Sequence, residues 1–395
     1  MRRNDIKIST EQGVKQYKYL YQRMLDRNVI EKAYRKLRKG KTKRKEIQYI
    51  DAHFDDEVEK MRLMILNTKP VPVEHPELAY KPKRRTPKII TEKGKKRKIY
   101  MPEIHEQWLH HIIVLILEPI IMATAYPYSC GSFPKRGAHY GKKRLERWIR
   151  QGKNIRNFLK VDIRHFYDSI RLDILMRELA IRIKDSWFLY IIELCLQGFR
   201  KGIPLGFYIS QWLANYILEP LDRLINKTLG FDIFERYMDD IVVFSDNKKK
   251  LREALIKIMK MLGQRFRLKL KRNYQICKYI FAKKNGEIVG RVVDYMGFQF
   301  FREKTLMRKS IMLAGTRLAK KLKACKDKDK RFYTKHLKAM ISYIGWLDCT
   351  DSYNYYLAKI KPCVNFGKIK RIISLQDTRR NHYERMEAGT LRGAA

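Results

Sequence analysis

The stretch Phe234–Ser245 constrains this chain more than any other. It reads Phe-Glu-Arg-Tyr-Met-Asp-Asp-Ile-Val-Val-Phe-Ser, with two adjacent acids, Asp239 and Asp240, between apolar and aromatic half-strands. β-Branched and aromatic side chains fit a pleated, half-buried surface. Phe234, Tyr237, Val242, Val243 and Phe244 therefore predict a hairpin with the acids at its turn. Adjacent carboxylates repel, and an apolar hairpin strips their water, so the arrangement is costly unless positive charge sits there. A divalent ion answers that need, and hard oxygen ligands suit Mg2+. An ordinary polar turn is the other reading of an acid pair taken alone.

A second acid ends a second strand-like run. Residues 158–170 read Phe-Leu-Lys-Val-Asp-Ile-Arg-His-Phe-Tyr-Asp-Ser-Ile, and Phe158 to Val161 leads into Asp162. Two strands that deliver acids to one sheet end can build a site for two metal ions. One ion would activate a hydroxyl nucleophile and the other would stabilise a leaving pyrophosphate. The nearby acids Asp168 and Asp246 read as turn or surface residues.

The charge balance points to a polyanionic partner. There are 87 Lys+Arg against 41 Asp+Glu, a formal charge of +46. Such an excess repels itself unless neutralised, so nucleic acid is the expected partner. An anionic membrane surface competes with it, but no lipidation signal or hydrophobic anchor supports a membrane. The longest apolar run, Ile112–Leu117, meets Glu118 and Pro119 and is too short to span a bilayer. The opening Met1-Arg2-Arg3-Asn4-Asp5 has no signal-peptide core. Cys130, Cys195, Cys277, Cys325, Cys349 and Cys363 form no CxxC pair. They read as reduced thiols of a cytoplasmic protein and not as zinc ligands.

Val14, Tyr17, Leu20, Tyr21, Met24 and Leu25 recur at helical spacing and predict a helix from residue 14, within 14–39. Residues 55–67, 105–122, 138–151, 251–262, 311–324 and 331–347 predict further helices. The basic run Arg38–Lys45 is either a solvated turn or a nucleic-acid contact. Ile89–Pro102 alternates basic and apolar residues about Gly94 and predicts a hairpin.

Several of these segments resemble the reverse transcriptases. Tyr237-Met238-Asp239-Asp240 resembles their YxDD box, and Asp162 with Phe166-Tyr167 resembles their first palm motif, DxxxF(F/Y). Lys93–Pro102 resembles the fingers motif GKxRxIxxP, with Arg97 at its arginine. Tyr128–Gly137 resembles the second motif, (F/Y)SxGFRPGR, imperfectly around Ser132 and Phe133. Gly202–Asn215 has Leu205 where most relatives carry Gln, and its Leu205-Gly206…Ser210-Gln211 resembles the (I/L/V)GxxxSQ form of diversity-generating retroelements. Tyr295-Met296-Gly297-Phe298 resembles the primer-grip turn, where Gly297 would let backbone approach a primer.

The resemblance implies an α+β right-hand polymerase with fingers, a split α/β palm and a helical thumb. It implies a basic helical extension over 1–84, fingers over 85–157, palm over 158–300, thumb over 301–363, and a basic, partly disordered tail over 364–395. Asp162, Asp239 and Asp240 would hold two Mg2+, helped by the backbone carbonyl of Ile163. Arg97, Tyr167, Leu205, Gly206, Ser210 and Gln211 would face the nucleotide. Tyr167 would exclude a 2′-hydroxyl, the group that separates the two sugars. Leu205 cannot donate the hydrogen bond of an amide, so base checking would weaken. The implied partners are an RNA template, a DNA or RNA primer, dNTPs and an accessory protein of the retroelement. Lys271 and Arg272 are both open as replacements for the family's usual palm lysine, near whose position Tyr274 stands. No RNase H acids, maturase DNA-binding region or endonuclease region is evident. A retron-like, antiphage-defence or group II intron-derived enzyme is the alternative. An inactive RNA-binding scaffold is the reading from another class, and it has no need of three converging acids.

Overall fold

The β-branched run after the acid pair forms the expected strand. In the computed structural model, Phe234–Tyr237 pairs antiparallel with Asp240–Ser245, Phe234 opposite Val243 and Tyr237 opposite Asp240. Met238 and Asp239 are left as the two-residue turn. The structure describes residues 8–11, 14–83, 85–92, 95–152, 155–199, 202–283, 285–324 and 330–378. The hairpin belongs to a four-stranded sheet in the order Phe234–Tyr237, Asp240–Ser245, Asn157–Asp162, Gln275–Lys278. Phe234, Ile241, Val242 and Val243 are fully buried, which fits strands covered on both faces.

Two compact units divide the chain. One comprises Met1–Gly137 with Leu159–Ile276, the other Ala138–Phe158 with Cys277–Ala395.

In the first unit the Ile104–Met122 helix is buried nearly all round, through Trp108, Leu109, Ile112, Ile113, Ile116, Leu117 and Ile120. The Arg27–Arg38 helix joins the same core through Ile30, Ala33, Tyr34 and Leu37, and Trp108 Nε1 donates to the Ile30 carbonyl at 2.8 Å. The basic N-terminal section is thus continuous with the core around the acidic hairpin. The helix expected from residue 14 begins only at Leu20. Val14–Tyr17 is a strand paired with Ile8–Glu11, and Tyr17 also bridges to Ile183. The Tyr17 N–H donates to Arg182 O and Lys184 N–H donates to Tyr17 O, both at 2.8 Å. These bonds claim the Tyr17 backbone for extended structure, and the left-handed Tyr19, at φ 59, separates strand from helix. The Lys45–Ala52 helix, which buries Ile47 and Ile50, follows the basic run that read only as a turn or contact.

The second unit holds the Ala138–Gln151 helix and a meander of Val293–Tyr295, Phe298–Phe300 and Thr305–Met307. The Lys309–Ala324 and Lys330–Asp348 helices follow as expected. The aromatics of this unit mainly pack: Trp346 lies 4.9 Å from the Phe298 ring, and beyond the second helix the Tyr355 hydroxyl bonds Thr316 at 2.8 Å and Tyr356 stacks on Phe366 at 5.7 Å. Residues 366–378 are helical, with Ile369 buried among Leu322, Leu337, Met340 and Ile360. The first part of the expected tail is therefore ordered, and 379–395 lies outside the described residues. So do Lys93, Gly94 and Cys325. Cys130, Cys195, Cys277, Cys349 and Cys363 are free thiols. Among the described residues no helix is long and apolar enough to cross a membrane.

Candidate active site

The strand Asn157–Asp162 ends beside the acidic turn, and one backbone bond joins them. Ile163 N–H donates to the Asp239 carbonyl at 3.1 Å, so the two acids come together through the main chain. Asp162 Oδ2 accepts from Lys271 Nζ at 2.6 Å, while Asp162 Oδ1 is buried with no hydrogen-bond partner. Burial, then the neighbouring Asp162 charge, pushes the Asp239 carboxyl up to about 6, and the more weakly acting Lys271 pulls it down. Asp240 Oδ2 lies 3.7 Å from Lys160 Nζ. Among the described residues no group of three or more His, Cys, Asp or Glu is arranged to hold a metal. The expected trio is therefore a close pair, Asp162 with Asp239, and a third acid beside a lysine. Of the two cations that the sequence left open, Lys271 pairs with Asp162, and Tyr274 is exposed.

This pair fits a divalent cation. It offers hard carboxylate oxygens, one of them buried and unpartnered, and burial together with the Asp162 charge disfavours the charged form of Asp239. Asp168, in the short Phe166–Ser169 helix, and Asp246 are exposed, in keeping with their reading as turn or surface residues.

The loop before the Tyr208–Ile217 helix lies against two other segments. Gly202 abuts the Tyr167–Asp168 backbone, where a Cβ would come 2.1 Å from Tyr167 O. Ile203 N–H donates to that same Tyr167 oxygen at 3.0 Å. Gly206, at φ +110, would place a Cβ 2.2 Å from Tyr100 O, and Tyr100 N–H donates to Leu205 O at 2.8 Å. Only glycine suits position 206, because both the left-handed backbone and the close approach exclude a side chain. The loop is thus docked between Tyr167 and the end of the basic hairpin, Lys88–Glu92 with Lys95–Ile99.

Tyr167 is half-buried, and its hydroxyl is pushed up by burial and then by Asp239, while the Arg97 charge pulls it down. Tyr167 therefore sits within the electrostatic reach of both an expected metal ligand and the exposed fingers arginine. Leu205 and Gln211 are half-buried and Gly206 is exposed.

Ser210 is fully buried in the Tyr208–Ile217 helix, its hydroxyl without a hydrogen-bond partner among the described residues. A Cβ at Gly297 would meet Trp346 Cη2 at 2.5 Å, so the indole ring fills the space where a side chain would stand.

A recess of about 570 Å3 lined by Arg164, His165, Lys271 and Arg272 adjoins Asp162. Sequence reading missed Arg236, Asp222 and Asn215, which surround the acidic turn. The available signal was Arg236 itself, a charge in a short strand between Phe234 and the acidic turn, which demands a buried partner if that strand lies in the core.

Residues 81–300 match the family described as reverse transcriptase (RNA-dependent DNA polymerase). The chain belongs to that family. Its mixed helix and sheet architecture is that of a right-hand polymerase. Reverse transcriptase domains generally use divalent metal ions, in keeping with the Asp162–Asp239 pair. The retron Ec73 reverse transcriptase of Escherichia coli is 24% identical over 218 residues, covering 48% of this chain and 68% of that protein. Protein YkfC of Escherichia coli is 23% identical over 155 residues, covering 34% of this chain and 38% of that one. A telomerase from Candida albicans in complex with a fragment of telomeric RNA aligns at TM-score 0.42 and 10% identity, over 70% of this chain and 56% of that one. Apo telomerase from Candida tropicalis aligns at TM-score 0.40 and 10% identity, over 65% and 51%. This reverse transcriptase chain thus spans well under two thirds of YkfC and of the telomerase chains, and its family assignment rests on the sequence match.

Proposed function

We propose that this chain synthesises DNA on an RNA template by metal-dependent nucleotidyl transfer, with low fidelity, as the polymerase of a diversity-generating retroelement. The observation that carries the polymerase reading is the Asp162–Asp239 pair, sewn together by the Ile163 N–H, within a stretch that matches the family. Asp162 and Asp239 would hold two Mg2+, with Asp240 joining once a cation competes with Lys160. The bound ions would supply charge stabilisation to the attacking hydroxyl and the leaving pyrophosphate.

The chain's own residues do the rest. Arg97 and the recess of Arg164, His165, Lys271 and Arg272 offer positive charge to phosphates near the acids. Tyr167, wedged beside Gly202, gives the sugar a rigid aromatic wall and selects deoxynucleotides. Leu205 contributes only van der Waals contact to the nascent pair. Fingers over 85–157, palm over 158–300 and thumb over 301–363 remain the working division. RNA template, primer, dNTPs and a basic accessory protein are the partners this reading requires.

The resemblance of Leu205-Gly206…Ser210-Gln211 to the retroelement form supports that subtype. The similarity to the Ec73 enzyme favours a second reading, a retron-like reverse transcriptase. Extension of a primed RNA template, scored for dNTP against rNTP use and for error frequency, tests the proposal. DNA product made with frequent errors supports the retroelement reading, faithful DNA product supports the retron-like one, and no templated product rejects both.

A further inference from the structure

A charged network lies under the acidic turn. Arg236 and Asp222 are 1% and 2% exposed. Arg236 Nε donates to Asp222 Oδ1 and Nη2 to Asp222 Oδ2, each at 2.7 Å. Its remaining nitrogen, Nη1, donates to Asn215 Oδ1 at 3.0 Å and to the Met238 carbonyl at 3.1 Å. Asn215 Nδ2 donates to the Gly131 carbonyl at 2.7 Å and to Gln211 O at 3.3 Å, and touches Met238 Sδ at 3.4 Å. Gly131 closes the other side, where a Cβ would lie 2.5 Å from Met238 Cγ and 2.8 Å from Met238 N.

Three contacts of this network meet at Met238, the residue before Asp239: Arg236 Nη1 at its carbonyl, Asn215 Nδ2 at its sulfur and Gly131 against its backbone and side chain. Met238 takes φ 55, a left-handed conformation that costs a non-glycine residue about 1 kcal/mol or more. Such a conformation persists only where its surroundings over-determine it. A buried ion pair is a poor device for stability alone, because desolvation offsets most of the attraction. Here it fixes direction: the planar guanidinium clamps a carboxylate with one edge and the turn carbonyl with the other. The backbone of Arg236 is held as well, its N–H donating to Tyr128 O at 3.2 Å and its carbonyl accepting from Cys130 N–H at 2.7 Å.

We propose that Asn215 and the Arg236–Asp222 pair are positioning residues. They set the place of Asp239 relative to Asp162, and Asn215 ties the helix that follows the Leu205–Gly206 loop to the acidic turn. The proposal deepens the polymerase reading above and rests on it. Reacting groups must be held to within about 0.5 Å, and a misplacement of about 1 Å costs about 100-fold in rate.

The test compares the parent protein with Asn215→Ala, Asn215→Asp and the paired variant Arg236→Met/Asp222→Leu, which leaves no lone buried charge. Single-nucleotide incorporation on primed RNA is measured across Mn2+ concentrations, together with the Mn2+-induced shift in melting midpoint, which needs no activity. The expected result for the paired variant is a kcat about 100-fold down with KM for dNTP within about twofold. Its Mn2+ activation midpoint should rise and its Mn2+-induced melting shift should shrink. Asn215→Asp, which keeps the acceptor for Arg236, should recover part of what Asn215→Ala loses. A folded paired variant with parental kcat and parental Mn2+ response overturns the proposal. So does an Asn215→Ala variant whose activity falls only as its folded fraction falls. If the paired variant does not fold, the two Asn215 variants decide. A parent that extends no primer rejects the polymerase reading instead, and the Mn2+ melting shift then judges this one.

Discussion

Replacing Asp239 by Asn should stabilise the metal-free protein at neutral pH. Burial and the Asp162 charge raise the Asp239 carboxyl from 3.8 to about 6. A raised carboxyl favours its protonated form in the folded state. Its contribution to stability is therefore full below pH 3.8 and lost as pH rises through about 6. That rise corresponds to about 3 kcal/mol as an upper bound on the cost of the charged form, and the interaction with Asp162 makes about 1–3 kcal/mol the working range. An asparagine side chain carries no charge at any pH, so the variant should gain that amount at pH 7.5 and almost nothing near pH 4. In a unit of this size the gain corresponds to a melting midpoint raised by about 2–8 °C. Thermal melts of parent and variant in chelator, at both pH values, read the difference directly. Saturating Mg2+ should then stabilise the parent more than the variant and narrow the gap. A variant less stable than the parent at pH 7.5, or a gain of equal size at pH 4, would refute the reasoning.

Leu205→Gln should lower misincorporation on an RNA template by about tenfold, the equivalent of about 1.4 kcal/mol of restored discrimination, as read by sequencing the product; under the proposed retroelement reading the parent's errors should gather opposite template adenine. Gly206→Ala should cut incorporation sharply, because a Cβ there meets Tyr100 O at 2.2 Å and the loop must shift; single-nucleotide kinetics with a parallel melt separates that shift from unfolding. RNA affinity should fall steeply with salt, with log K against log salt giving a slope of about −0.7 per neutralised phosphate on single strands; a filter-binding titration that is flat between low and moderate salt contradicts a phosphate-dominated interface.

The parts legible in the sequence were those with short-range signals. The acidic hairpin announces itself because β-branched and aromatic residues flank a polar pair, but its turn is Met238–Asp239, one residue earlier than the acid pair suggests, and Asp240 opens the second strand opposite Tyr237. The long helices, Ile104–Met122 and Lys248–Phe266 among them, follow from apolar periodicity. What failed depended on partners distant in the chain. Val14–Tyr17 has helical spacing, yet Arg182 and Lys184 supply its hydrogen bonds. The full burial of Ser210 depends on packing around its helix that the motif does not show. Gly297 needed Trp346, far along the chain, to reveal what its missing side chain makes room for. Arg236 carried a signal of burial in its strand, but its partner Asp222 lies in a separate helix and only the fold brings the two together. The pairing of Asp162 with Lys271 could not be chosen over Arg272 by spacing, since both precede Tyr274 closely.

The central claim is that Asp162 and Asp239 form the centre of templated DNA synthesis. Single-turnover dNTP incorporation on a primed RNA template, with parent, Asp162→Asn and Asp239→Asn proteins at matched RNA occupancy, tests it most directly. The account predicts metal-dependent extension by the parent and a loss of at least about 1,000-fold in each variant, on the scale of removing one essential electrostatic group. Both variants should stay folded and bind RNA as the parent does. Extension by either variant at a rate near the parent's would contradict it.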